Sequence, residues 1–433
     1  MIGVLHAAAL SGVIAGCAPT AATSSAFSLQ VYRDGGPIDA DAVIDPPQMY
    51  DPSARRVNLA GGLNEVVAFR LDLRAEGALD VQVGDFISAD GRRLSQNVEL
   101  YQVHHVRVGA WPGWYVRRYA PDERERYVAD VLVPARAPRG GLPVQAVSGR
   151  PVKLWVDVRI PRGTAPGVYS APLTLRVNGA VQQELDLSLN VWPFVLPDDV
   201  GTDFVADLDH RALFAHHVRQ DGQPCAPERI LADHPAAAQL EGVLASAMRL
   251  LRDHRLTPQL PKLYPLVQVD ADAKLTVDWT DYDRVVSGYL DGSAFTDRRP
   301  LGVWRVPLDE TFPQATVNGQ APSPLYARML SDYLTSAAKH FEQNGWGSRA
   351  YVQIPYGQRM QPGAQAAAHH YGYIIRRAAP RFGVLSTLFP QDVSAFGWYG
   401  FTFDDLRDEV SIWAPPAQFF DRDAIARDLG AQA

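Results

Sequence analysis

The sequence predicts a two-part molecule: a β-sandwich, then an α/β domain built as a (β/α) TIM-type barrel that is incomplete at its C-terminal end. Three observations predict it. Residues 28–198 alternate apolar and polar positions with period two. Beyond about residue 199 the long runs carry helical periodicity instead. Short apolar runs separate those helices, as parallel strands do. The 433 residues, 47% hydrophobic and 21% charged, are enough for two cores. A net charge of −7 gives no broad basic surface, so nucleic acid is not an expected partner.

The chain opens with "MIGVLHAAALSGVIAGC". This apolar run is too short to span a bilayer as a mature helix and fits a cleaved signal. Its end, Ile14-Ala15-Gly16-Cys17, resembles the lipobox of bacterial lipoproteins, although no Lys or Arg precedes it. The resemblance implies lipidation of Cys17 and a membrane-anchored protein of the bacterial cell envelope. A plain secretory signal with a chance cysteine is the alternative. Residues 1–27 are read as signal and tether, and a lipidated Cys17 leaves Cys225 without a disulfide partner.

Residues 28–198 are read as the sandwich. "VVAFRLDL" (66–73) puts Val67, Phe69, Leu71 and Leu73 on one face, and "ELDLSLNVW" (184–192) does the same with Leu185, Leu187, Leu189 and Val191. "VKLWVDVRI" (152–160) also alternates, and "RGTAPG", "NG" (178–179) and "DG" (90–91) supply turns. After "FVLPDDVG" the pattern changes. Helices are predicted over 236–255, 324–346 and 364–380; strands are predicted in "TDFVADL" (202–208), "GVWRVPL" (302–308), "AYVQI" (350–354), "GVLSTLF" (383–389) and "EVSIWAP" (409–415). No glycine-rich phosphate loop follows any strand, which favours a barrel over a nucleotide-binding sheet; a doubly wound sheet is the alternative. Residues 199–433 form this second domain.

Several stretches then show a resemblance. "YVADVLVP" (127–134) precedes an element matched by Trp155, Asp157, Pro161, Thr164, Gly167 and Tyr169. "VPLDETFP", "HFEQNGW", "PRFGVLSTLFP" and "VSIWAPP" follow in order. Together they resemble glycoside hydrolase family 123 and its bacterial relatives over about residues 120–420. The resemblance implies a retaining β-N-acetylhexosaminidase on a (β/α) barrel. There an adjacent Asp-Glu pair ends one strand: the Glu is general acid, and the Asp orients the substrate's 2-acetamido group, which attacks the anomeric carbon. Aligned on the strand that begins at Ala350, this sequence has Pro355 and Tyr356 at that pair. Proline has no functional group, and a phenol with a reference pKa of ~10 is a poor acid near pH 7. The resemblance therefore implies the scaffold with its chemistry missing.

The sequence offers other carboxylates. Asp309 and Glu310 follow an apolar strand and are the acidic pair left for a catalytic role, against a plain turn cap and a solvated side chain. "ADLDHRALFAHH" (206–217) matches no metal motif, and His216-His217, like His369-His370, cannot share one helical face. No metal, cofactor or Gly-x-Ser-x-Gly elbow is expected. Sugar binding needs aromatic faces and planar polar groups: Gln353, Tyr356, Gln358 and Trp398 are the candidates, while Trp304 and Tyr351 read as core. Three functions are thus in view. They are a polysaccharide-handling lipoprotein without catalysis, an active glycosidase using Asp309 and Glu310, and a structural envelope lipoprotein. A protein partner covering the open barrel end is also expected.

Overall fold

The structure is a computed structural model describing residues 27–34, 49–94, 97–108, 126–198, 203–272, 274–309, 312–313, 324–355, 364–388 and 406–414. It divides into two compact units, residues 1–200 and 201–433.

In the first unit, one antiparallel sheet runs in the order Ser28–Arg33, Glu65–Arg74, Val152–Ile160, Val98–Val108, Arg126–Pro134. The second sheet contains Val144–Ala146, Gly77–Val83, Gly167–Val177, Ala180–Val195, Arg56–Leu63 and Tyr50–Asp51, with one parallel pairing between Ala180–Val195 and Arg56–Leu63. Their alternation is the cause of the layering: Phe69, Leu71 and Leu73 from one sheet and Leu185, Leu187 and Leu189 from the other are buried in one core. Asn178 and Gly179, with φ of 50° and 79°, form the two-residue turn between the long strands. Two positive φ values in succession suit an Asn-Gly pair.

The Trp155–Tyr169 element has local structural duties. Trp155 Nε1 donates to Asp157 at 2.7 Å, tying neighbours on the outward face of one strand. Buried Tyr169 donates its hydroxyl to the Ala165 carbonyl at 2.8 Å and locks the turn before its strand.

In the second unit the helices are α1 (His210–His217), α2 (Ala237–Asp253), α3 (Thr280–Asp291), α4 (Pro324–Gln343) and α5 (Ala364–Ala378). Parallel strands alternate with them. Val205–Asp207 pairs with Thr257–Gln259. Trp304–Arg305, Ala350–Gln353, Gly383–Ser386 and Ile412–Trp413 form a four-stranded sheet in sequence order. Buried Val352 and Val384 share one core with Tyr333, Leu334 and Phe341 of α4 and with Tyr371 and Ile375 of α5.

The expected barrel is met only as parallel α/β structure. Among the described residues no ladder closes a barrel, and the two parallel sheets stay separate ladders. Side chains join them, Gln259 first among them. Gln259, fully buried, donates from Nε2 to the Val303 carbonyl at 2.9 Å and accepts from the Arg305 N–H at 2.6 Å. Its amide replaces the peptide group that a ladder would place there.

The strands are shorter than the apolar runs that announce them: Trp304–Arg305 is all that pairs within 302–308. Leu250, which helical spacing in the sequence places on one stripe with Leu240, Val243, Leu244, Ala247 and Leu251, is 59% exposed, because α2 buries Leu240, Leu244 and Met248 at spacing four. Helices α1 and α3 and the hairpin Leu266–Val269 with Leu275–Asp278 lie outside the elements anticipated from periodicity. In α3 the signals are terminal: Asp281 and Asp283 sit in the first turn, and Gly292 ends the helix at φ 87°.

Candidate functional site

Side-chain direction in the four-stranded sheet follows from one residue. Trp304 is fully buried and donates from Nε1 to the Tyr282 hydroxyl of α3 at 2.7 Å, so it faces the helices. Arg305 therefore faces the other way. Tyr351 is in register with Arg305 and Gln353 lies two residues on, so both share that face. Leu385, in register with Gln353, and Ile412, in register with Leu385, continue it.

Polar groups gather where these strands end. Asp207 closes the first strand and accepts from Arg305 Nη1 at 3.0 Å. Arg305 is 11% exposed, and its Nε is buried without a hydrogen-bond partner. Burial pushes the Tyr351 phenol well above its usual range, the nearby Arg305 charge opposing the shift, so it stands there as a neutral hydroxyl. Gln353 is half-buried at the last strand position and makes no side-chain hydrogen bond with a described residue. Beyond it, Ile354 N–H continues to the Leu385 carbonyl at 2.9 Å, and Pro355 is buried. No carboxylate therefore stands at residue 355.

Two further acids are committed elsewhere. Asp209 caps α1, accepting from the N–H groups of Arg211 and Ala212 at 3.1 Å each, and lies 3.3 Å from Lys262 Nζ. The bond from Ala212 leads the causes, with Lys262 adding to it, that hold its carboxyl below the usual value. Asp309 accepts from the Tyr264 hydroxyl and forms a backbone bridge with Phe312, on whose ring Tyr264 stacks at 4.3 Å. The Asp309 side chain thus meets Tyr264, a partner that its neighbours in sequence do not signal, while its backbone makes the bridge to Phe312.

The sequence candidates divide accordingly. Gln353 and Asp309 are described; Glu310, Tyr356, Gln358, Trp398 and Cys17 lie outside the described residues. Arg305, Gln259 and Tyr264 are additions, of which the first two could have been noticed as the polar ends of "VWR" and "TPQ". His210, weighed as a metal ligand, is buried and donates to the Glu228 carbonyl at 3.1 Å, and burial lowers its pKa. The His216 and His217 rings meet edge to face at 4.7 Å in the last turn of α1, closer than helical spacing suggests. Among the described residues no group of three metal-ligating side chains gathers.

With this geometry the chain matches a solved structure from Clostridium perfringens, a family 123 glycoside hydrolase studied for glycolipid glycan hydrolysis. The TM-score is 0.61 at 13% identity, over 87% of this chain. The chain has a family 123 glycoside hydrolase-like fold. It spans 65% of the length of that structure. A Bacteroides ovatus GH5 xyloglucanase solved with a XXXG heptasaccharide covers 90% of this chain and 70% of its own at TM-score 0.26 and 8% identity, too low to bear on the fold. No protein-family model and no curated protein matches the chain. The family 123-like likeness is one of architecture; at 13% identity it assigns no residue a role.

Proposed function

We propose that this chain is an envelope lipoprotein, anchored through Cys17, whose second unit binds a polysaccharide at the carboxyl end of its parallel strands without hydrolysing it. In this reading the second unit is a degenerate (β/α) barrel. The observation that carries the proposal is buried Pro355 at the strand end where the resemblance places the first acid of the catalytic pair. Substrate-assisted hydrolysis needs one group to deliver a proton and another to hold the acetamido group. Proline does neither. What surrounds that strand end suits recognition instead. Half-buried Gln353, without a side-chain hydrogen bond to a described residue, lies beside the neutral Tyr351 hydroxyl and the Arg305 guanidinium, and planar amide and guanidinium groups match sugar hydroxyls well. Tyr356, Gln358 and Trp398 complete the proposed binding set.

Active-site carboxylates from another strand remain the competing reading, and Asp309 with Glu310 is the pair to test. Aryl N-acetyl-β-hexosaminides should show no turnover above the uncatalysed rate. Turnover that disappears in Glu310→Gln would replace binding by catalysis. A glycan array should return a polysaccharide ligand whose binding falls at least tenfold in Tyr356→Ala and in Gln353→Ala. Binding to no glycan would favour a purely structural lipoprotein.

A further inference from the structure

The first helix of the second unit is held at its start by an imidazole that polysaccharide recognition leaves unused. His210 is the first residue of α1 and is completely buried. Its Nε2 lies 3.1 Å from the Glu228 carbonyl, 18 residues on. A carbonyl only accepts, so Nε2 carries the hydrogen and Nδ1 the lone pair. That Nδ1 is buried as well and has no hydrogen-bond partner. The ring packs edge to face with Phe214, one turn on and itself fully buried, at a centroid distance of 5.5 Å. The imidazole thus ties the start of α1 to the segment that leads into α2, in an arrangement that suits the neutral ring.

A proton added at Nδ1 spoils this arrangement. The new N–H meets no acceptor, and a charge then stands in a place closed to water. The positive end of the α1 dipole opposes a cation there too. The charged groups around the ring do not reverse the balance. Burial leads the causes that hold the imidazole below its ordinary pKa; the Glu228 bond and the Asp209 carboxylate favour the cation, and Arg211 and Lys262 oppose it. Asp209 is already engaged by the N–H groups of Arg211 and Ala212 and by Lys262. The Glu228 carboxylate is engaged by Arg211 at 3.1 Å. With the folded-state pKa below the unfolded one, the tie contributes fully above the ordinary histidine value of about 6.5 and weakens as pH falls below it.

We propose that His210 is an acid-sensitive latch: its protonation between about pH 7 and about pH 5 releases α1 from the Glu228 segment while the rest of the second unit stays folded. The latch does not depend on what the strand ends bind. The Asp209 carboxyl, held below its usual range, stays ionised through that interval, so the helix cap is not what lets go. Helices α4 and α5 pack on the four-stranded sheet and are not held by this bond.

The test is amide hydrogen exchange of the full chain near pH 7 and near pH 5, with each rate referred to the intrinsic rate at the same pH. Protection of residues 213–218 should fall at least fivefold between the two, and that of α4 less than twofold. His210→Gln keeps an N–H donor for the Glu228 carbonyl and has nothing to titrate; thermal melting checks that it folds. Its α1 protection should change less than twofold over the same interval. His216 and His217 are present in both proteins, so their own protonation cancels from the comparison. If the variant does not fold, the nitrogen spectrum of the parent's imidazoles decides: near pH 6.5 the His210 ring should be mostly neutral with its hydrogen on Nε2. The proposal is overturned if α1 keeps its protection near pH 5, if His210→Gln loses as much as the parent, if α4 loses as much as α1, or if the His210 ring is charged or carries its hydrogen on Nδ1.

Discussion

Arg70 and Arg305 are both nearly enclosed side chains on sheet faces, and they are finished in opposite ways. In the sandwich, Arg70 is 2% exposed, grips Asp72 with Nε at 2.7 Å and Nη2 at 3.3 Å, and lies 4.4 Å from the centre of the Tyr32 ring. In the second unit, Arg305 gives Asp207 one bond and keeps a buried Nε unpartnered. A guanidinium whose bidentate edge is filled by its own sheet serves stability. One whose Nε stays unmatched in a low-dielectric place carries an uncompensated desolvation cost. The contrast bears on the proposed division into scaffold and recognition surface, and it can be broken by measurement.

The largest effect should come from Arg70→Ala. It strands the Asp72 carboxylate, already pushed above its usual pKa by burial despite the arginine beside it. Breaking a buried pair from one side costs about 3 kcal/mol, to be read from urea unfolding. Arg70→Met combined with Asp72→Leu should recover most of the loss, since no charge is left behind. A loss under about 1 kcal/mol for Arg70→Ala, the range of exposed pairs, would erase the contrast with Arg305.

Next is Gln259→Leu, which should cost about 2 kcal/mol. It deprives the Val303 carbonyl and the Arg305 N–H of their partner inside a buried junction. If the junction is what sets Arg305 in place, glycan binding should weaken along with stability.

The sandwich was legible in the sequence because its strands are long. Glu65–Arg74 and Val152–Ile160 carry enough alternation to name the inward residues one by one. The second unit was legible as helices and short apolar runs, but not as a site. Val205–Asp207, Thr257–Gln259 and Trp304–Arg305 are too short to show a period. The bonds that join the two parallel sheets link residues 44, 46 and 98 apart, which no local pattern encodes. Gln353 could be named because Ala350–Gln353 is an apolar run with a clear end; Tyr264 could not, because its partner Asp309 is 45 residues away.

A smaller effect is expected from Asp209→Ala, which removes the cap of α1 at a cost of about 1 kcal/mol at neutral pH. The folded-state pKa of Asp209 is depressed. Its contribution is therefore complete above the ordinary carboxylate value of about 4 and fades as pH falls through the depressed one. The gap between parent and variant should close in acid. A gap that widens there would mean that Asp209 acts through something other than its ionised cap.

The smallest change in stability belongs to Arg305→Met, and it tests the comparison most directly. Asp207 is 50% exposed and regains water when its partner is removed, so the lost ion pair should cost about 0.5 kcal/mol, as half-exposed pairs do. The methionine stem keeps the apolar packing of the arginine stem. Binding should behave differently: in the proposed reading a polysaccharide at the strand ends loses the guanidinium, and affinity should fall at least tenfold while the unfolding midpoint hardly moves. Arg305→Lys should behave like Met rather than like the parent, because an ammonium cannot reproduce a donor fixed in the guanidinium plane. If Arg305→Met instead unfolds the protein as readily as Arg70→Ala, the two arginines are structural in the same sense and the strand ends lose their claim to a ligand.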